Sequence, residues 1–384
     1  MTRIRLGLTV SLLGWFSLSP LSAQESSADR KGWGLDLTIR GAGLAIGHIP
    51  RVNGVRINFR DRYLEKVNGL NLTFWAPSKD GDVGGTIQGM SLGLAAPVAR
   101  RLRGISLGGL AVVGRQELSG LNVAGLAVVG EGLVQGITIG GLATVSTGAS
   151  RGFTFGGLAA VSEGSAVGLN IGGLATVSNL GSKGINVGGL ATVAGEGQLE
   201  GLQFGGLAVV GDRGIKGVSV GGLAVVAGKG SATGIQAGGL ALVSGSGSLT
   251  GINLGGLAVV AGEGVARGVN LGGLAVVGVR GVEGLNIGGL AVVSEDHVRG
   301  LSVGGYKVEA PVGSWVAGAI WKVEIDDFRG LSVGVWNEHD SRMRGLSIGL
   351  LNRTEHLHGI QVGVLNYAGN NERFRWLPLI NAHF

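Results

Sequence analysis

The chain has 384 residues with 79 glycines, 6 prolines and no cysteine; it lacks the Gly-X-Y triplet of collagen, and its 45% apolar content sets it apart from disordered low-complexity sequence. Without cysteine there is neither a disulfide framework nor a lipidated-cysteine anchor. The formal net charge of +6 comes from 31 basic residues intermixed with 25 acidic ones, so there is no clustered basic footprint for nucleic acid.

Residues 1–23 read as a secretory signal peptide: Arg3 and Arg5 give a positive start, Leu6 to Leu18 an apolar stretch, and Leu21-Ser22-Ala23 a small-residue cleavage site before Gln24. Export is the expectation, to the cell envelope, the outer membrane or the cell surface. No later stretch is long and apolar enough for a membrane-spanning helix. Residues 24–103 read as an N-terminal capping region with degenerate repeats, such as Gly54-Val55-Arg56-Ile57-Asn58-Phe59 and Gly69-Leu70-Asn71-Leu72, richer in charge and aromatics than the repeats beyond residue 103.

From 104 to 310 the chain is a tandem array of glycine-rich β-repeats. The second glycine of a Gly-Gly pair, or its equivalent, recurs from Gly109 to Gly305 in twelve intervals of about 16 residues. Each unit opens with alternation, as in Leu121-Asn122-Val123 or Ile252-Asn253-Leu254, which predicts a strand with one buried face. Leu-Ala-Val-Val or Leu-Ala-Thr-Val comes next and predicts a second strand, or the second half of one bent strand, covered on both faces. The glycine pair between them fits a corner, where positive φ or close backbone approach excludes a side chain. Every charged residue between Gly104 and Gly305 lies in the connectors, so one edge is expected to be wet and the neutral cores hidden. The polar slot occupied by Ser106, Asn122, Thr138, Thr154, Asn170 and Asn186 becomes a hydrogen-bonded column if units stack in register.

Residues 311–329 break the rhythm, and 330–384 read as C-terminal repeats and a cap. Three shorter units appear there: Gly330-Leu-Ser-Val-Gly-Val-Trp-Asn337, Gly345-Leu-Ser-Ile-Gly-Leu-Leu-Asn352 and Gly359-Ile-Gln-Val-Gly-Val-Leu-Asn366, with a closing segment from Arg375 to Phe384. This octet, with that closing segment, resembles the bacterial surface-repeat-containing family of exported envelope proteins. The resemblance covers the C-terminal units well and the Gly-Gly-Leu-Ala units loosely, since those lack the closing Asn. It implies an envelope or surface location and no particular activity.

The fold expected is all-β, a repeat protein built as a β-solenoid or β-roll of about 16-residue coils with atypical capping ends. The alternative is an outer-membrane β-barrel of antiparallel strands, favoured by the terminal Phe384 after the alternation Ile380, Ala382, Phe384. The matching functions are an exported, non-enzymatic surface or envelope repeat protein with a structural or adhesive role and, in the alternative, a porin-like channel.

The sequence offers chemical motifs only in repetitive or incomplete form. Gly-x-Ser-x-Gly occurs six times, around Ser91, Ser106, Ser219, Ser302, Ser332 and Ser347, in a slot that elsewhere holds Asn, Gln or Thr, so the serines read as strand positions rather than nucleophile elbows. Gly228-Lys229-Gly230 lacks the Ser or Thr of a phosphate loop and reads as a turn. His356 and His358, near Glu355, His339 and Asp340, form the one cluster with metal-ligand chemistry and read more simply as connector histidines. No catalytic, cofactor-binding or metal residue is assigned and no cofactor is expected. The expected partners are a like chain or another envelope component, with membrane association open, and neither nucleic acid nor a small-molecule substrate.

Overall fold

The computed structural model describes residues 34–77 and 84–384; the signal peptide expected at 1–23 lies outside them. Among the described residues every regular element is a strand, and none is a helix long and apolar enough to cross a membrane. The strands form a β-solenoid. In the central array each coil contributes a long strand, such as Leu133–Gly140, and a short one, such as Ala143–Ser146. The long strand pairs in parallel with Ala111–Ala124 on one side and Ser150–Gly156 on the other, and the short strand with Ala127–Gly130 and Ala159–Ser162. Two parallel ladders result, joined at the Gly-Gly-Leu corner and at the connector.

This pairing overturns the barrel alternative, because an up-and-down barrel needs antiparallel neighbours. Among the described residues direction reverses only at the two ends of the stack: Gly34–Ile39 lies antiparallel to Ala42–Gly47, and Trp376–His383 antiparallel to Leu351–Ala368. Phe384 closes nothing and is 89% exposed. Nineteen turns run from Gly54 to Gly359, about 16 residues each, giving a rod of roughly 90 Å at the usual strand spacing. The sequence break at 311–329 is no break in the fold. Lys307–Ala319 and Lys322–Val333 continue the stack with Lys307 opposite Lys322 and Val316 opposite Leu331.

One glycine per coil sets the geometry. The glycine before the alternating triplet, not the corner pair, holds the positive φ: 103° at Gly120, with the same left-handed region at its partners from Gly43 to Gly359. A Cβ on Gly120 would lie 2.1 Å from the carbonyl oxygen of Gly104 in the coil below. The corner pairs are glycine for close approach alone; at Gly173 a Cβ would sit 1.9 Å from the Gly157 oxygen.

The apolar interior comes in two blocks, one from Ala45 to Val134 and one from Ala194 to Ala368. Between them the inward positions are mostly small and polar, including Thr144, Ser150, Ser162, Asn170 and Thr176. Those coils are held mainly by backbone ladders, and the rod is a stack of similar neighbours rather than one hydrophobic core.

Candidate functional site

The neutral cores expected to be hidden are hidden only in part: on the long-strand ladder the polar slot turns inward and its apolar neighbours turn out. In the triplet Leu121-Asn122-Val123 it is Asn122 that points inward and is fully buried, while the two apolar neighbours face outward. Stacking extends this along the rod. The inward column from Arg56 to Gln361 is polar in every coil except at Ala317, and no member is more than 8% exposed. The outward column beginning at Leu44 is apolar at all 21 positions through Ile360, and Ile137 within it is 47% exposed.

The inward amides are sustained by repetition. Asn253 donates to Asn270 (2.8 Å), Asn270 to Asn286 (2.7 Å) and Asn286 to the Ser302 hydroxyl (3.1 Å), each bond joining one coil to the next. An amide has both a donor and an acceptor end, so where Asn follows Asn at strand spacing one can bond to the next. The column is not satisfied throughout, since Asn122, between Ser106 and Thr138, has neither amide atom bonded. At the N-terminal end Arg56 fills the slot. Its guanidinium pairs with the buried Asp61 at 2.9 Å, and Asn58, Asn71 and Thr73 donate to the same carboxylate. Burial lowers the Arg56 pKa, against the pull of Asp61.

Outside, three apolar strips adjoin. The two outward columns of the long strand are flanked at the corner by a ridge of twelve leucines from Leu110 to Leu290, each 45–54% exposed, continued by Tyr306 and Trp321. Beyond the ridge, the outward residues of the short strand are Ala and Val, half-buried, so that strand is not covered on both faces as its sequence suggests. A strip about 90 Å long and some 15 Å wide exceeds 1,000 Å², well above the roughly 300–600 Å² largest patch of ordinary monomers. Each half-exposed Leu or Ile forgoes on the order of 1 kcal/mol of transfer free energy, so the sum over the columns runs to tens of kcal/mol. Two open grooves indent this face: one of about 550 Å³ lined by Leu72, Phe74, Leu92, Leu94 and Leu107, and one of about 590 Å³ lined by Leu285, Arg299, Leu301 and Trp315.

The two faces differ in their charged borders. The residue before each left-handed glycine forms an outward column holding eight basic residues, Arg103, Arg151, Lys183, Lys216, Arg267, Arg299, Arg329 and Arg344, against Glu200 and Glu283. Glu283 sits between Arg267 and Arg299 and bonds to Arg267, which holds its pKa below the usual value. Across the connector, after the short strands, Glu131, Glu163, Glu196, Asp212, Glu263 and Glu295 outnumber Arg115, Arg213, Lys229 and Arg280. The short-strand face also turns polar in the last coils, where Ala291 and Val293 give way in register to Lys307 and Glu309, then Lys322 and Glu324. Lys307 bridges Glu309 and Glu324, Lys322 bridges Glu324 and Glu338, and Arg353 continues to Glu338 and Glu355. Burial pulls the pKa of both lysines down, but their hydrogen bonds to these carboxylates prevail and leave it raised. The long-strand face meanwhile stays apolar to Ile360.

The tempting motifs scatter. All six Gly-x-Ser-x-Gly serines lie in the inward column, at most 1% exposed and on strands. Lys229 of the glycine-rich turn pairs with Asp212 at 2.8 Å. His356 and His358 share an outer face, opposite Arg342 and Arg344, whereas His339 points inward, fully buried, bonded through Nδ1 to the Ile325 carbonyl at 2.7 Å and stacked on Phe328. Burial lowers the His339 pKa to about 4. Among the described residues no group of three or more His, Cys, Asp and Glu side chains could hold a metal ion.

Comparison with family models, with curated proteins and with solved structures finds no match to this chain.

Sequence reasoning misses the inverted face and Trp315, the one non-glycine in the left-handed column, with φ of 87° and 73% exposure. A signal for the first exists: the polar slot never holds a charged residue between Ser91 and Gln361, as a position shielded from water requires.

Proposed function

We propose that this chain is an exported, non-enzymatic repeat protein of the bacterial cell envelope, with a structural or adhesive role at the outer membrane or cell surface. The observation that carries the reading is the outward column from Leu44 to Ile360, one apolar residue per coil over the whole rod. A periodic surface of this kind offers many equivalent weak contacts, which suits adhesion or assembly through multivalency rather than capture of one small molecule. The signal-like composition of residues 1–23 supports export, and the resemblance of the units at Gly330, Gly345 and Gly359 to surface-repeat proteins supports an envelope location.

The test is fractionation of a bacterial host expressing the full chain with a C-terminal tag, combined with N-terminal sequencing of the product. The expected result is a product beginning at Gln24, recovered with the envelope. A full-length chain retained in the cytoplasm would overturn the reading.

A further inference from the structure

We propose that the long-strand face, together with the leucine ridge, docks on an anionic lipid surface, with the short-strand face turned away. The proposal rests on the envelope reading only for where such lipid would be met.

Three observations converge on this occupant. The long-strand face is apolar from end to end, whereas the short-strand face carries the ion-pair ladder from Lys307 to Glu355, whose immersion in lipid would be costly. The border of the apolar face is basic. Arg151, Lys216, Arg329 and Arg344 are exposed there, one residue before the left-handed glycine and two before the apolar column, where long cationic side chains reach headgroup phosphates while their methylenes lie along the apolar strip. Aromatic side chains with a polar handle sit where the face meets water: Trp315 stands out of the glycine column, and Tyr306 and Trp321 extend the leucine ridge.

A second copy of the chain fits less well. Laying two long-strand faces together sets the basic border against either another basic border or a leucine ridge, depending on the direction of the two-fold axis. Neither arrangement reaches the acidic connector ends, which lie on the short-strand side.

The test uses the purified exported chain, sedimented with phosphatidylcholine vesicles with and without phosphatidylglycerol, across a range of salt. The expected result is salt-sensitive binding to the anionic vesicles. The combined variant Arg151→Gln, Lys216→Gln, Arg329→Gln, Arg344→Gln should bind at least about tenfold more weakly with an unchanged circular dichroism spectrum and melting curve, since each surface cation contributes appreciably to attraction by anionic lipid. Trp315→Gly restores the consensus glycine, so it should keep the fold and still lose several-fold in binding. Absence of binding to anionic vesicles by the folded chain would overturn the proposal, as would equal binding to both compositions with no effect of the four glutamines. Concentration-dependent self-association that the four glutamines leave intact, without vesicle binding, would assign the face to a second copy instead. Cytoplasmic retention in the host would sink the envelope reading and leave these vesicle results standing.

Discussion

Trp315 stands in register opposite Gly300, in a column where every other residue from Gly43 to Gly359 is glycine, and it adopts their left-handed backbone with φ of 87°. For a bulky L-residue that conformation costs on the order of 1–3 kcal/mol. The side chain is 73% exposed and recovers little by burial. Trp315→Gly should therefore stabilise the chain by about 1 kcal/mol after the entropy cost of a new glycine, seen as a higher midpoint in urea. A lower midpoint would show that the indole is anchored by packing that its exposure conceals.

Gly173 gives the converse case. Its Cβ would collide with the Gly157 carbonyl at 1.9 Å, and backbone on both sides is fixed in parallel ladders. Gly173→Val should destabilise by more than about 2 kcal/mol, above the roughly 1 kcal/mol span of ordinary strand propensity. An unchanged thermal midpoint would count against the close approach at this corner.

The amide column makes its own demand. Asn270 accepts from Asn253 and donates to Asn286, so Asn270→Ala strands a donor on one side and an acceptor on the other. Each unsatisfied buried group costs about 1–3 kcal/mol, so the two together give a loss of roughly 2–6 kcal/mol in denaturant unfolding. The double variant Asn253→Ala, Asn270→Ala should cost less than twice the single one, because the bond between them is lost only once. Strict additivity would mean that the amides act independently.

How far the fold is legible in the sequence depends on which property is asked for. The 16-residue period, the two strands per unit and the stacked architecture emerge from the recurrence of residues such as Gly157 and Gly173, because a repeat this short can bury surface only against its neighbours. The facing of the strand does not. Alternation in Leu169-Asn170-Ile171 fixes a period of two but not which set turns inward, and the habitual choice of apolar-inward fails because Asn170 is satisfied by Asn186 in the next coil, a partner invisible within one unit. The coil at 311–329 is hidden for a related reason. Trp315, Ala317 and Gly318 occupy the glycine, polar and apolar columns, and lysine and glutamate replace Ala and Val outside, while the backbone pairing that defines the rung is indifferent to side-chain identity.

His339 should make stability depend on acidity. Its ordinary pKa of 6.5 applies in the unfolded chain and falls to about 4 in the buried site. Between those values the unfolded chain binds a proton that the folded one does not, so stability is highest above 6.5 and declines as pH falls to 4, with no further contribution below. The full effect is about 3 kcal/mol at one unit of pKa per 1.4 kcal/mol. His339→Asn should flatten the difference between urea midpoints measured at pH 7 and pH 4.5. An undiminished slope in that variant would place the acid sensitivity elsewhere.

Deletion of one complete unit tests the architecture most directly. Residues 168–183 span one register period: Gly168 pairs with Gly184, Asn170 with Asn186, and Ala175 with Ala191. Removing them brings Gly152 beside Gly184 and Thr154 beside Asn186, with glycine above glycine and a polar residue still facing a polar one, and every remaining strand keeps its direction. The loss is one coil's worth of backbone pairing and the Asn170 to Asn186 bond, so the shortened chain should fold with a melting temperature within a few degrees of the parent, as expected when stability is a sum over neighbouring repeats. Deleting only 168–175 should instead leave one coil without its left-handed glycine or its polar slot and destabilise the array sharply. Equal tolerance of both deletions, read by circular dichroism and thermal melting, would mean that the register observed along the rod does not govern its stability.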